Sequence, residues 1–271
     1  MQRISDHMLR ISRQLGYRTV VGDHRLWVRG YISNDVDVSG PDEPDVFRVI
    51  ERLLTRPGVF IDVGANLGQT LGKVLRVDYN RDYLGFEPQV AACHLVHRFI
   101  RDNRLRNANV LPIGLSSGNQ IKKFYSLGDA DCMASLHRTE RHMDETVIQT
   151  RKGDEVLDEL GISQIAAIKI DVEGTELDVL RGLQKTLSSH RPPVIFEVLP
   201  NFEGPDRRPV DKAVADHRNA QADKLCTFWN ELKFQIYQID GAGKEIAVDR
   251  FELDNSAGFI GSNFVAKYEN R

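Results

Sequence analysis

The sequence predicts an α/β fold with a mostly parallel sheet, and three observations predict it. Short β-branched runs alternate with segments of helical periodicity through the middle of the chain. Two of those runs, residues 59–63 and 165–172, pass directly into glycine-bearing turns. Polar residues stand at or near the ends of five runs: Asp62, Glu87, Ser116, Asp171 and Glu197. In sheets of this kind ligands sit beyond the C-terminal strand ends, where the strand order switches.

The elements follow in order. Ile4, Met8, Ile11 and Leu15 share one face of an amphipathic helix over residues 2–15. Residues 17–21 and 26–28 flank Gly22-Asp23-His24 and read as a hairpin that holds Trp27. The Gly40–Pro44 segment breaks the chain, and Val46, Phe47, Val49, Ile50, Leu53 and Leu54 then mark a second helix. Residues 1–57 contain too few apolar residues for a core of their own, so they are expected to pack as an extension on a domain spanning 58–271. That domain begins with a strand over 59–63 and a helix through Leu67, Leu71, Val74 and Leu75. A strand at 83–87, a helix near 89–103, a strand at 108–116 and an added hairpin strand at 121–125 come next. Beyond the 165–172 strand the chain reaches Glu197 and a polar loop over 199–209. A helix over about 210–232 and closing strands at 234–239 and 263–268 complete the domain.

The turn after the first parallel strand, Gly64-Ala65-Asn66-Leu67-Gly68, suits a ligand that approaches bare backbone at a helix N-terminus. It lacks the second glycine of the dinucleotide fingerprint, G-x-G-x-x-G. Asp62, just before the turn, would repel a pyrophosphate and attract an ammonium group. Glu87, ending the next strand, is placed to accept hydrogen bonds from a ribose diol. S-adenosylmethionine carries both an ammonium group and a ribose. The alternative for this turn alone is a tight strand–helix connection that binds nothing.

A second stretch, Ile168-Lys169-Ile170-Asp171-Val172-Glu173-Gly174, narrows the choice. With residues 61–68, Gly85-Phe86-Glu87-Pro88, Glu176, Val179-Leu180-Arg181-Gly182 and residues 193–198, it resembles the FkbM-type S-adenosylmethionine-dependent methyltransferases over about half of the chain. The resemblance implies a doubly wound, seven-stranded, Rossmann-like sheet. It also implies S-adenosylmethionine as cofactor and a hydroxyl on a sugar or secondary metabolite as methyl acceptor. On that reading Glu87 holds the ribose, and the turn carrying Gly64, Asn66 and Gly68 meets the amino acid portion. Leu115 and Ser116 flank the adenine, Asp62 orders the turn, and Asp171 joins the cofactor set. A nicotinamide enzyme and a noncatalytic S-adenosylmethionine-binding protein are the rival classes.

An attacking alcohol must lose a proton, which a positioned base assists by about 10²–10⁴-fold. Asp171 and Glu173 are the candidate bases, with Glu197 orienting the hydroxyl. The spacing carries no metal signature, and a metal-free base is expected over a carboxylate-bound Mg²⁺. Glu176 is equally explained as an acid in a first helical turn. His137, Arg138, Arg141 and His142 read as a solvated loop, and Arg207 and Arg208 as exposed residues.

Composition sets bounds on all this. The 271 residues carry a net charge of −3, with a sequence pI near 6.3, which gives no electrostatic support for nucleic-acid binding. Cys93, Cys132 and Cys226 form neither a zinc pattern nor a disulfide framework, so a reducing, cytoplasmic setting is expected. The first residues lack a signal peptide's apolar run, no stretch reaches the ~20 apolar residues of a membrane helix, and no membrane partner is expected.

Overall fold

A computed structural model describes residues 17–28, 43–126, 144–203, 206–254 and 262–269. The expected helix over 2–15, Cys132 and the His137–His142 cluster lie outside the described residues. The chain opens with a hairpin of β1 (Tyr17–Val21) and β2 (His24–Val28), followed by helix α1 (Pro44–Leu53), which carries Pro44 in its first turn. Proline is tolerated there because the first N–H groups of a helix have no partner inside it.

The domain proper then alternates. Strand β3 (Val59–Val63), helix α2 (Gln69–Val77), strand β4 (Tyr83–Phe86), helix α3 (Val90–Asp102) and strand β5 (Ala108–Leu111) form its first half. A separate three-stranded sheet follows, made of β6 (Gly114–Leu115), β7 (Gln120–Ser126) and β8 (Asp144–Arg151) in the order β6-β8-β7. Helix α4 (Gly153–Glu159), strand β9 (Ile165–Ile170), helices α5 (Glu176–Gly182) and α6 (Gln184–His190) and strand β10 (Val194–Glu197) return the chain to the main sheet. A short hairpin, β11 (Phe202–Glu203) with β12 (Arg208–Pro209), leads into α7 (Lys212–Glu231). Strands β13 (Phe234–Ile239), β14 (Glu245–Val248) and β15 (Asn263–Tyr268) finish the sheet.

The main sheet runs β14-β13-β15-β10-β9-β3-β4-β5. Five neighbouring strands, from β10 to β5, are parallel, and β13 to β15 are antiparallel. The doubly wound, Rossmann-like order is as expected, with eight strands in place of seven because β14 extends the edge by pairing with β13. Strand order reverses between β3 and β9, which puts the ligand crevice there. The expected strand over 108–116 divides at Pro112, which cannot donate to a ladder. Its first half stays in the main sheet and its second joins β8.

Alternation sends side chains to two cores. Ile61, Val63, Ile168, Ile170, Phe196 and Phe264 meet Leu180, Leu187 and Trp229 on one face. Phe60, Tyr83, Ala167, Ile195 and Val265 meet Leu71, Val74 and Val96 on the other. The N-terminal hairpin and α1 enter this second core through Val21, Leu26, Val28, Val46, Val49 and Ile50. From α1, Arg48 Nη1 and Arg52 Nη2 donate to the carbonyls of Ala242 and Gly243 at 2.6 and 2.5 Å. Trp27 belongs to the hairpin: its backbone N–H reaches Asn103 Oδ1, and the Arg18 guanidinium lies over its ring. Among the described residues no helix is long and apolar enough to cross a membrane.

Candidate active site

At the strand-order reversal lies an open cleft of about 580 Å³, counted out to its mouth. One wall is the strand–turn–helix passage, with Val63, Gly64 and Asn66. The floor is Phe86, Glu87, Pro88 and Gln89. Leu115, Phe124, Ile148 and Thr150 of the three-stranded sheet form the opposite wall, and Asp171, Val172, Glu173 and Thr175 close the end. Gly64, Asn66, Glu87, Leu115, Asp171 and Glu173 thus converge, as the sequence placed them.

The turn owes its shape to close packing. Gly64 has φ +89°, and a Cβ there would lie 1.9 Å from the Asp171 carbonyl oxygen. Its glycine therefore serves the contact between β3 and the end of β9 as well as ligand access. Asn66, at φ 45°, donates its N–H to Glu87 Oε2 at 2.8 Å, and its own Oδ1 is buried without a hydrogen-bond partner. Gln89 N–H reaches Glu87 Oε1, also at 2.8 Å. Glu87 is 4 % exposed, and burial pushes its carboxyl up to about 7 despite those two bonds. Gly68, also at φ +89°, precedes α2 and shapes the helix start without lining the cleft.

Two expected cofactor contacts point elsewhere. Asp62 is fully buried in β3, where Oδ2 accepts the Tyr83 hydroxyl and Oδ1 has no hydrogen-bond partner. Alternation explains this: Ile61 and Val63 face the first core, so Asp62 faces the second, beside Lys169 in register. Burial pushes its carboxyl up to about 6, against the opposing pull of Lys169. Ser116 is also fully buried, and its Oγ accepts Lys122 Nζ at 2.8 Å, away from the cleft lined by Leu115.

The same alternation collects polar groups on the second face at the C-terminal strand edge. Lys169 Nζ, on a side chain only 4 % exposed, lies 2.7 Å from Asp171 Oδ2. Glu197, one position past the Phe196–Ile170 pair, stands beside Asp171 on the neighbouring strand, and its Oε1 accepts Ser262 Oγ at 3.0 Å. Burial raises the Glu197 carboxyl well above its usual range, and Asp171, Glu173 and Glu176 add to the rise. Glu43, at the start of α1, pairs with Lys73 at 3.0 Å. Burial opposes the ionisation of Glu43, but Lys169 and Lys73 outweigh it and hold its carboxyl low. Glu173 adopts φ 54°, a conformation that strains a non-glycine residue. Glu176 accepts the Gly174 N–H at 3.0 Å and is pushed up to about 7 by burial, which accounts for it as part of the turn.

Among the described residues, 199–203 and 206–209 do not line the cleft. Strands β11 and β12 pair antiparallel, with the Arg207 guanidinium 5.1 Å from the Phe202 ring centroid and Arg208 exposed. Arg218 ties the pair down through the Pro200 carbonyl and Glu203. Sequence reasoning missed Phe124 and Ile148, although the β-branched run at 146–150 was a signal for β8. It also gave no role to Lys169, which pairs with Asp171 two residues on and stands in register with Asp62. Among the described residues no cluster of histidine, cysteine, aspartate and glutamate could hold a metal ion. Burial pushes the Cys93 thiol up to about 11, so it is no nucleophile near neutrality.

A doubly wound sheet with this crevice, a buried acid at the end of β4 and a carboxylate at the end of β9 defines a ligand-binding α/β domain with acid–base capacity. The methyltransferase FkbM domain matches residues 62–235, more than half of the chain, and the protein belongs to that family. It is 28 % identical over 164 residues to the 2-O-methyltransferase NoeI of Sinorhizobium fredii, covering 54 % of this chain and 66 % of that one. It is also 28 % identical over 176 residues to the hexuronic acid methyltransferase AglP of Haloferax volcanii, covering 64 % and 68 %. The chain thus spans about two thirds of the length of these curated relatives. A solved methyltransferase FkbM from Methylobacillus flagellatus aligns with a TM-score of 0.47 and 15 % identity, over 78 % of this chain and 43 % of that one.

Proposed function

We propose that this chain is an S-adenosylmethionine-dependent O-methyltransferase acting on a hydroxyl of a small molecule or glycan. The observation that carries the reading is Glu87. A buried carboxylate faces a cleft whose far wall is apolar, which suits a ribose diol with a flat base beyond it. The orphaned Asn66 Oδ1 offers a further acceptor beside it. When bound, the cofactor supplies a methyl group activated by a sulfonium. Glu87 would hold the ribose, the turn from Gly64 to Gly68 the amino acid portion, and Leu115 the base. Asp171 and Glu173 close the end where an acceptor would enter. The names of the two curated relatives, one an O-methyltransferase and the other acting on a hexuronic acid, support a sugar hydroxyl as acceptor.

The boundary near residue 57, a cytoplasmic setting and metal-free chemistry belong to the same proposal. Titration calorimetry with S-adenosylmethionine, S-adenosylhomocysteine and NAD tests the cofactor. Binding of the first two without NAD is expected, and NAD binding alone would overturn the reading. A methyl-transfer assay over a panel of neutral sugars, uronic acids and secondary alcohols, with and without chelator, then tests the reaction.

A further inference from the structure

The N-terminal hairpin carries a surface that the cleft does not use. Directly opposite residues of β1 and β2 share a face, so the pairs Arg18–Trp27 and Val20–Arg25 bring four side chains together. The opposite face is packed, with Val21, Leu26 and Val28 in the second core. The four therefore look outward. Arg18 and Arg25 are exposed, Val20 is 58 % exposed, and Trp27 is half-buried with the Arg18 guanidinium 5.9 Å from its ring centroid.

The end of α3 extends this surface. Asn103, just past that helix, holds the Trp27 backbone twice: its Oδ1 accepts the N–H at 2.6 Å and its Nδ2 donates to the carbonyl at 2.8 Å. That contact brings Arg101 and Arg104, both exposed, alongside the hairpin. Two acids accompany them, Asp23 in the hairpin turn and Asp102, which lies 3.5 Å from Arg101. Among the described residues Arg18, Arg25 and Arg104 pair with no carboxylate, whereas Arg52, Arg151 and Arg218 each pair with a glutamate. In a chain of net charge −3 this is a local excess of positive charge.

We propose that this face docks on a membrane surface rich in anionic phospholipid headgroups. The arginines supply what phosphate requires, since a guanidinium offers paired N–H donors and a permanent charge. Val20 and Trp27 stand between them, an aliphatic side chain and an indole, and such groups enter the boundary between headgroups and acyl chains. A soluble polyanion would be held by the charges alone. The apolar pair set among the arginines is what fits a bilayer.

The test is co-sedimentation of the full chain with vesicles of phosphatidylcholine alone and of phosphatidylcholine mixed with phosphatidylglycerol. Binding to the mixed vesicles only is expected, weakening at least tenfold as salt rises from about 0.05 to 0.3 M. Each basic residue at an anionic surface strengthens binding about fivefold, so Arg18→Glu with Arg25→Glu should weaken it about 25-fold or more. Val20→Asp, with every arginine kept, should weaken it at least fivefold. These side chains face outward, so Tm and S-adenosylhomocysteine affinity should stay at wild-type values. If the double variant does not fold, Arg104→Glu and Val20→Ser decide the matter in its place, each with a loss of at least threefold. Equal sedimentation with both vesicles, or with neither, would overturn the proposal. Capture by dextran sulfate that matches the mixed vesicles in strength and ignores Val20→Asp would overturn it too, in favour of a soluble polyanion. Failure of the cofactor reading would show separately, as absent S-adenosylhomocysteine binding in the wild type, and would leave the vesicle result standing.

Discussion

Replacing Glu87 with alanine removes two carboxylate oxygens from the cleft floor, and the consequence can be worked from their surroundings. Each oxygen already accepts one backbone N–H at 2.8 Å, from Asn66 and Gln89, and has a lone pair left for a ligand. Two ribose hydroxyls donating to an ionised acid would contribute about 1.5–3 kcal/mol each. Part of that is offset, because burial holds the carboxyl neutral below about 7 and ionisation must come first. A net loss of at least 1.4 kcal/mol, about tenfold in Kd for S-adenosylhomocysteine, is the resulting expectation. Ionisation also gives a pH signature. At pH 6 only about a tenth of Glu87 would be charged and at pH 8 about nine-tenths, so wild-type affinity should tighten about tenfold across that range. In Glu87→Ala this dependence should flatten. Calorimetry at pH 6, 7 and 8, with circular dichroism to establish folding, measures both effects. A folded variant whose affinity stays within twofold of wild type, or that keeps the same pH dependence, would refute the reasoning.

Other outcomes follow from the same contacts. Gly64→Ala puts a Cβ 1.9 Å from the Asp171 carbonyl at φ +89°, so denaturant unfolding should show a loss of about 3 kcal/mol or more, or no soluble protein. Asp62, Glu87 and Glu176 are raised to about 6, 7 and 7 by burial, so the folded chain holds protons that the unfolded chain releases. Stability should therefore fall as pH climbs from about 4 to 7, read as Tm against pH without ligand. Asp211→Ala removes the side-chain acceptor for Val214 N–H at the start of α7 and should cost about 1 kcal/mol by urea denaturation, with ligand affinity unchanged.

Much of this protein was decided locally. The alternation of β-branched runs with helical periodicity marks parallel strands, because a strand covered on both faces needs apolar residues throughout. Gly64 and Gly68 announce the turn because both sit at φ +89°, which only glycine adopts without strain. The polar residue closing each run locates the sheet edge where ligands meet the chain. On these grounds the order of the elements and the residues around the cleft, Glu87 and Asp171 among them, were legible in the sequence.

What the sequence left open depends on register and on contacts between distant segments. Asp62 and Glu87 look alike as acids near strand ends. Yet one is sealed beneath the sheet against Tyr83 while the other floors the cleft, because Asp62 lies inside β3 and Glu87 lies just past the end of β4. Lys169 reads as a charge inside an apolar strand until Asp171 and the cross-strand Asp62 are set around it. Phe124 and Ile148 reach the cleft only because a small second sheet folds back from residues beyond Pro112. Charge compensation and wall-building of this kind act over a few ångströms in space and over a hundred residues in sequence. Only the tertiary structure brings those partners together.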